Sequence, residues 1–212
     1  MGFLMGGPFY DLIGRTGNNV GRKVKGRNVF SMRPSKSNKP ATILQLDQRF
    51  KFGLVTSWLR KCGSFVTLGY QNYDQTGSEM NAAVKQVLDE AITGMSPNFA
   101  IDYSKVILSK GDLVEGRNLE VATEDPAELQ VTWTPGGGFE GNLTDKLMVL
   151  AYCPMLNRYT TVIGVVARSV GTYTMSIPAS YSSEVVHVWA AFVSVNQKEV
   201  SDSQYYGPLT VL

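Results

Sequence analysis

The sequence predicts an α+β chain in which a basic N-terminal β-hairpin or arm and a helical pair precede a seven-stranded, immunoglobulin-like β-sandwich. Three observations predict this fold. Residues 1–40 are rich in Gly, Asn and basic residues, residues 41–100 carry apolar residues at helical spacing, and residues 101–212 break into short alternating runs. We therefore expect three domains with these bounds, namely arm, helical pair and sandwich.

Composition places the chain among folded globular proteins. Hydrophobic residues make up 43% and charged residues 18% of the 212, which is typical of a chain with an apolar core. The opening residues lack a cationic start, and no run approaches the roughly 18 apolar residues of a membrane span. We read no signal peptide and no membrane segment. This predicts cytoplasmic synthesis and leaves the final location open, a released particle included.

Charge is divided unevenly along the chain. Residues 1–61 hold twelve Lys and Arg against Asp11 and Asp47, a net charge of +10. Residues 62–212 hold eight basic and sixteen acidic residues, a net charge of −8. Such a division favours either an arm that binds anions or head-to-tail attraction between copies of the chain.

The N-terminal segment reads as short strands. In GNNVGRKVKGRNVFSMRP we predict turns at Gly21 and at Lys25-Gly26, and the following SKSNKP reads as a linker. Two short strands are not stable alone in water, so this segment must pack against its own chain or a neighbour.

Two helices are predicted next. Thr42 and Gln45 have capping-box spacing, and the first helix should end near Gly63 in a left-handed cap. The second helix is predicted over 79–93, with Thr76 and Glu79 as its capping box. Its stripe of apolar residues is typical of a packed core helix.

Short runs separated by turn residues fill the C-terminal half and predict an all-β domain. The runs are KVILSKG, ELQVTWT, DKLMVLAYCP, YTTVIGVVARS, GTYTMSIPAS, EVVHVWAAFVSV and YYGPLTVL. Both faces of the VHVWAAFVSV strand are largely apolar, so we expect this strand to be central or covered.

Two resemblances follow from these segments. Trp133 in the second strand, an alternating strand before the last hairpin and a closing strand with Thr resemble fibronectin type III domains. Nearly the whole chain resembles a Bacteroidota family of unknown function, through the segments GNNVGRKVKGRNVFSMRPSKSNKPAT, QLDQRFKFGLV, NAAVKQVLDEAITG, PNFAIDYSKVILSKG, TDKLMVLAYCP and VHVWAAFVSVNQKEVSDSQYYG. The family resemblance implies no activity and no site residues.

Catalytic chemistry finds no support in the sequence. The lone His187 lies in an apolar alternating strand, and no GxSxG elbow is present. Asp89-Glu90 and Glu124-Asp125 are adjacent pairs whose side chains point in different directions. Two cysteines, which we expect to be buried thiols, and one histidine cannot complete a four-ligand zinc site without carboxylates. We therefore predict a protein that is not an enzyme and holds no metal or cofactor.

The basic segment is the candidate functional element. Its cationic residues are Arg15, Arg22, Lys23, Lys25, Arg27, Arg33, Lys36 and Lys39. We predict a structural or assembly subunit whose arm binds other copies of the chain head to tail, forming a filament, tube or phage-tail-like particle. Nucleic acid is the alternative partner, since these cations could neutralise phosphates. A second alternative is a carbohydrate or surface-ligand binder using Tyr159, Tyr181, Tyr205 and Tyr206.

Overall fold

A computed structural model describes the chain except for residues 1, 8, 25, 36–37, 74–76 and 137–140, and it leaves the side chains of residues 2 and 4 undescribed. Two compact units are present, residues 1–42 and residues 43–212. Helices and several antiparallel sheets occur together, so the predicted α+β class is confirmed at that level.

The first unit is built on an antiparallel sheet, here called the N-terminal sheet. Its strands are β1 (Gly2–Leu4), β2 (Gly14–Thr16), β3 (Asn19–Val24) and β4 (Arg27–Met32), in the order β1-β4-β3-β2. The predicted turn at Gly21 is wrong, because Gly21 lies inside β3 and pairs with Phe30. A side chain at Gly21 would collide with the backbone carbonyl of Leu12, so glycine is needed for this close approach rather than for a turn. The turn before β3 contains Gly17, at φ +58°.

The helical region begins as predicted but continues further than one helix. Helix α1 (Ile43–Leu59) runs through a 3₁₀ turn at Arg60–Cys62 into α2 (Gly63–Gly69). Gly63 has φ −54° and ψ −40°, so the predicted left-handed cap there is wrong. Helix α3 (Glu79–Glu90) is capped by Ser78, whose hydroxyl accepts a hydrogen bond from the Asn81 amide at 3.3 Å. The predicted capping residue, Thr76, lies outside the described residues.

Helix α3 ends earlier than predicted, because the chain turns into a hairpin. Strands β5 (Ile92–Met95) and β6 (Asn98–Ile101) pair with each other, and Ile92 lies opposite Ile101. The carbonyl of Ala91 accepts from the Asp102 amide at 2.8 Å, which ties the end of the helix to the end of the hairpin. Ala91 and Ile92 extend the apolar spacing of α3, which is why the sequence predicts helix here.

The remaining strands form two antiparallel sheets. The large sheet contains β9 (Lys146–Cys153), β10 (Arg158–Ala167), β12 (Val185–Val193) and β13 (Gln204–Thr210), in the order β10-β9-β12-β13. The small sheet contains β7 (Glu120–Ala122), β8 (Glu128–Thr132) and β11 (Thr172–Ser176), in the order β11-β8-β7. The predicted strand over 105–111 is wrong, since this segment follows a 3₁₀ turn at Tyr103–Lys105 and joins no strand ladder.

Apolar cores lie on both faces of the large sheet. One face packs on the small sheet through Val149, Val188 and Phe192 against Leu129 and Val131. The opposite face packs on the helices, where its side chains join one cluster: Met148, Leu150, Trp189 and Ala191 with Val55, Phe65, Val87 and Ala91. The expectation that β12 is covered on both faces is therefore confirmed.

A buried ion pair and its hydrogen bonds connect two loops, at residues 114–115 and at residue 145, to the end of β10. The Arg168 Nε lies 3.7 Å from an Asp145 carboxylate oxygen, and the two side chains are 1% and 3% exposed. Arg168 donates to the carbonyls of Glu115 at 3.0 Å and Val114 at 2.5 Å, and its guanidinium carbon lies 3.9 Å from the centroid of the Phe192 ring. Burial raises the pKa of Asp145, and the nearby Arg168 charge partly offsets this.

Candidate assembly surface

One face of the N-terminal sheet carries arginines between apolar side chains. Residues paired across strands point to the same face of a sheet, and positions two apart along a strand share that face. The register therefore defines an arginine face, which consists of Phe3, Arg15, Val20, Arg22, Val24, Arg27, Val29 and Ser31.

The arginine face is exposed at its arginines and at Phe3 and Val24, whereas Val29 at its centre is buried. Arg15, Arg22 and Arg27 are all exposed, and Phe3 and Val24 are 57% and 44% exposed. The guanidinium carbon of Arg27 lies 5.9 Å from the centroid of the Phe3 ring. Arg15 donates from Nε to the Gly17 carbonyl at 3.2 Å, which fixes its direction at the β2–β3 turn. Planar cations and an aromatic ring therefore share one flat surface.

This unit has no apolar core of its own among the residues that the structure describes. Val29 is the one large apolar side chain there that is buried, at 3% exposure. Other large apolar side chains of the unit stand in solvent: Met5, Phe9, Tyr10, Ile13 and Met32. A sheet with so little buried apolar surface is stabilised only when something covers it.

The structure groups some of the predicted cations and separates others. Arg15, Arg22 and Arg27 share the arginine face, whereas Lys23 points to the opposite face of β3. Arg33 follows β4 and Lys39 lies in a bend, both exposed. Lys25 and Lys36 lie outside the described residues. Eight cations against Asp11 give residues 1–42 a net charge of +7.

The second unit has the opposite charge and contains an acidic cleft. Residues 43–212 hold twelve basic and seventeen acidic residues, a net charge of −5. Two adjoining cavities of about 450 and 370 Å³ share Tyr73 and Lys110. Together they define the acidic cleft, which is lined by Tyr70, Asn72, Tyr73, Ala82, Lys85, Gln86, Asp89, Glu90, Lys110, Gly111, Asp112 and Asp202.

An aromatic pair forms one wall of the acidic cleft. Tyr70 and Tyr73 pack edge to face with ring centroids 5.6 Å apart, and Tyr73 is 51% exposed. The Lys110 ammonium lies 4.9 Å from the centroid of the Tyr73 ring, so this ring already accepts a cation from its own chain.

The carboxylates of the cleft are held by local hydrogen bonds. Asp202 accepts from the Gly111 amide at 2.9 Å, and Glu90 accepts from Gln86 at 3.3 Å. Burial raises the pKa of Tyr70, and Tyr73, Asp202 and Glu90 raise it further, so Tyr70 keeps its proton and donates to the Ile107 carbonyl at 2.8 Å. Four carboxylates against Lys85 and Lys110 leave the lining with a net charge of −2, which favours a cation.

Sequence reasoning missed the acidic cleft. It treated Asp89-Glu90 as solvated surface, and nothing in the local pattern connects this pair to Asp112 and Asp202. The contact between Gly111 and Asp202 spans 91 residues. Only the packing of α3 beside the loops at 111 and 202 assembles the cleft.

Other predicted chemistry stays dispersed. His187 Nδ1 lies 2.7 Å from the Tyr205 hydroxyl, and the centroids of the His187 and Tyr103 rings are 4.4 Å apart. This arrangement is typical of a structural histidine that is hydrogen-bonded and packed within the fold. Within the described residues, no three His, Cys, Asp or Glu side chains are placed to hold a metal ion. Cys62 and Cys153 are buried free thiols, and burial raises the pKa of Cys62 to about 12.

The four tyrosines proposed from the sequence to bind a carbohydrate or surface ligand do not form one exposed surface. Tyr181 is fully buried, and Tyr159 donates to the Trp58 carbonyl at 2.9 Å within the helical core. Tyr205 and Tyr206 are successive residues of β13 and pack against opposite cores. In the part of the chain that the structure describes, no helix is long and apolar enough to cross a membrane.

Comparison with known proteins identifies the family. Residues 11–207 match the model described as "Family of unknown function (DUF6266)", and the chain belongs to that family. The predicted membership of a family of unknown function is confirmed, while an origin in Bacteroidota stays a prediction. Among solved structures, the chain is similar to the fn3 domain of human collagen alpha-1(XX) chain, with 19% identity and a TM-score of 0.36 over 47% of this chain and 88% of that one. No curated protein matches the chain.

Proposed function

We propose that the protein is a non-enzymatic structural subunit that self-associates head to tail, with the arginine face of one copy docked on the acidic cleft of the next. The observation that carries this proposal is the largely exposed arginine face. It presents three arginines and an exposed aromatic ring on a sheet that buries one large apolar side chain among those described. Such a surface gains stability from a partner that buries it.

The acidic cleft suits such a partner surface. Carboxylates accept the forked N–H groups of a guanidinium, and an aromatic face attracts the same cation. Asp89 and Glu90 supply carboxylates, and the contact with the Lys110 ammonium shows that the Tyr73 ring binds a cation. An arginine from another copy would bind the carboxylates and would compete with Lys110 for the ring.

Net charge supports the direction of the contact. Residues 1–42 carry +7 and residues 43–212 carry −5, so two first units repel each other and a first unit attracts the second unit of a neighbour. Because the two surfaces differ, the contact is heterologous. Repeated, it gives a ring if the rotation closes and a filament or tube if it does not. A filament, tube or phage-tail-like particle is the form we expect.

We infer further that residues 101–212 form a fibronectin type III-like or immunoglobulin-like sandwich that serves as the rigid body of the subunit. In such sandwiches strands A, B and E share one sheet, and C, F and G share the other. The order β11-β8-β7 corresponds to E-B-A, and β9-β12-β13 corresponds to C-F-G, with β10 added beside C. The shared core between the two sheets supports this assignment.

The test reverses charge on the arginine face of the full chain. We expect the triple variant Arg15→Glu, Arg22→Glu, Arg27→Glu to lose large particles that the unmodified chain forms. Its matched control, Lys23→Glu, Arg33→Glu, Lys39→Glu, changes the net charge equally but leaves the arginine face intact. Light scattering and negative-stain images of nuclease-treated protein give the readout. Assembly should weaken from about 0.05 M to about 0.5 M salt, as screening shortens to a few Å.

Three results would contradict the proposal. The chain could stay monomeric under all salt conditions, the control variant could lose assembly as fully as the arginine variant, or a chain lacking residues 1–40 could assemble as before. A monomer that shifts in size only when DNA or RNA is added would instead favour the nucleic-acid alternative.

A further inference from the structure

Helix α1 exposes an apolar stripe on the side away from its buried residues. Val55, Trp58 and Leu59 face the core. Successive residues of a helix are about 100° apart, so residues separated alternately by three and four positions lie on one side of it, as in the contact line of paired helices. On the side of α1 opposite its buried residues, this spacing gives the stripe Ile43, Leu46, Phe50, Gly53 and Ser57. Ile43, Leu46 and Phe50 are 73%, 40% and 51% exposed, although each is a large apolar side chain.

Side-chain size changes along this stripe. Its first half carries bulky residues, whereas Gly53 and Ser57 in the second half are small and exposed. A Cβ placed on Gly53 would meet no atom within 4 Å, so the notch at Gly53 opens to the outside. Leu46 and Ile43 lie four and seven residues before Phe50, and Gly53 and Ser57 lie three and seven residues after it, so bulky residues precede Phe50 by about one and two turns and small residues follow it by the same number of turns.

We propose that α1 pairs antiparallel with α1 of a second copy across a twofold axis at Phe50. In that arrangement Leu46 of one copy enters the notch at Gly53 of the other, and Ile43 lies over Ser57, so bulky residues meet small ones on both sides of the axis. This interface does not use the arginine face and goes beyond the proposed head-to-tail contact.

Charge next to the stripe favours a second α1, with a net charge of +1, over the arginine face, with three arginines, as its partner. The exposed half of α1 carries Arg49 and Lys51 against Asp47, which gives it a net positive charge. Asp47 accepts from Ser96 Oγ at 2.5 Å, and the Lys51 ammonium lies 4.7 Å from the centroid of the Phe99 ring, so the β5–β6 hairpin contacts α1 between the stripe and the buried side of the helix. The size pattern then fits the same helix of another copy.

The experiment uses the full chain carrying the three arginine-face reversals, so that the head-to-tail contact is disabled. Sedimentation across a concentration series should show a dimer. Gly53→Leu should weaken this dimer at least about tenfold, because the notch is filled, although it adds apolar surface and a better helix former. Phe50→Asp should weaken it as strongly. Val195→Asp, at an exposed valine in a turn far along the chain, should leave it unchanged.

A crosslink tests the axis directly. Phe50→Cys should form a disulfide between two copies on mild oxidation, seen on a non-reducing gel, while the parent with its two buried thiols should not. A monomer at all concentrations, a tighter dimer with Gly53→Leu, or no crosslink at position 50 would each overturn the pairing. The head-to-tail proposal fails separately, if the particle size of the unmodified chain does not change with salt. That result would not affect the dimer or crosslinking measurements described here.

Discussion

His187 is the single histidine of the chain, and its burial makes a pH-dependent stability testable at one residue. Burial lowers its pKa below the ordinary value of 6.5. The Tyr205 hydroxyl and the Tyr103 ring face the imidazole. Burial raises the pKa of Tyr205, and the negative charge of Asp102 raises it further. Because the folded chain binds this proton less readily than the unfolded chain, the free energy of unfolding should be retained above about pH 6.5 and fall as pH drops below it.

Urea unfolding at a series of pH values checks this expectation. His187→Gln keeps a polar side chain that can reach Tyr205 but removes the titration, so its unfolding free energy should lose the decline between about pH 7 and pH 5. The difference between the two proteins isolates His187 from carboxylates that also titrate. An equal decline in both would show that another group is responsible, and the imidazole resonances in NMR spectra would then show a pKa near 6.5.

The sequence predicts the arginines exposed on the first unit but does not predict that Arg168 is buried. Arg15, Arg22 and Arg27 stand out because they cluster within thirteen residues of a Gly-rich segment. Arg168 reads as an ordinary residue at the end of a strand, yet it is 1% exposed and bonded to carbonyls 53 and 54 residues away. Partners that distant in the chain leave no local pattern, so only the folded chain reveals them.

Two glycines of α2 give a matched test of the helical element. A side chain at Gly69 would collide with the Leu108 carbonyl and with Ser109, so Gly69→Ala should lower the free energy of unfolding by about 1–3 kcal/mol. Gly63 has right-handed helical angles and only an ordinary contact with Met80 at 3.9 Å. Gly63→Ala should therefore be neutral or stabilise by up to about 1 kcal/mol.

Thermal and urea unfolding of the two variants give the readout. A loss of stability in Gly63→Ala comparable to that in Gly69→Ala would contradict the continuous path from α1 into α2. It would instead support a left-handed residue at position 63, where a Cβ is unfavourable.

Elements were predictable wherever one periodicity was unambiguous. The starts of α1 and α3 follow from apolar residues at helical spacing, β8 follows from alternation, and β9 and β12 follow from short apolar runs bounded by turn residues. Ile92 fits both the helical and the alternating pattern, so the end of α3 could not be fixed locally. The 105–111 segment alternates without a ladder because its amides bond to side chains, such as Leu108 to Ser203 and Gly111 to Asp202.

For the whole molecule, the head-to-tail contact predicts that two assembly-defective variants repair each other. One carries Glu at positions 15, 22 and 27. The other reverses the cleft with Asp89→Lys, Glu90→Lys and Asp112→Lys. In either variant alone, the cleft and the sheet face at positions 15, 22 and 27 carry the same sign of charge and repel, so neither variant should grow beyond the helix-paired dimer. Mixed at equal amounts, this face of each variant meets a cleft of opposite sign on the other, and both contacts of every subunit are restored.

Light scattering of the two variants, separately and mixed at low salt, measures this repair. We expect large particles only in the mixture, containing both chains in a 1:1 ratio, and their loss at high salt as the charges are screened. A control that reverses acidic residues outside the cleft, Glu124→Lys, Asp125→Lys and Glu184→Lys, should assemble alone like the unmodified chain. If mixing restores nothing while the control assembles, the arginine face contacts a surface other than the cleft. If the control also fails alone, net charge rather than the cleft governs assembly.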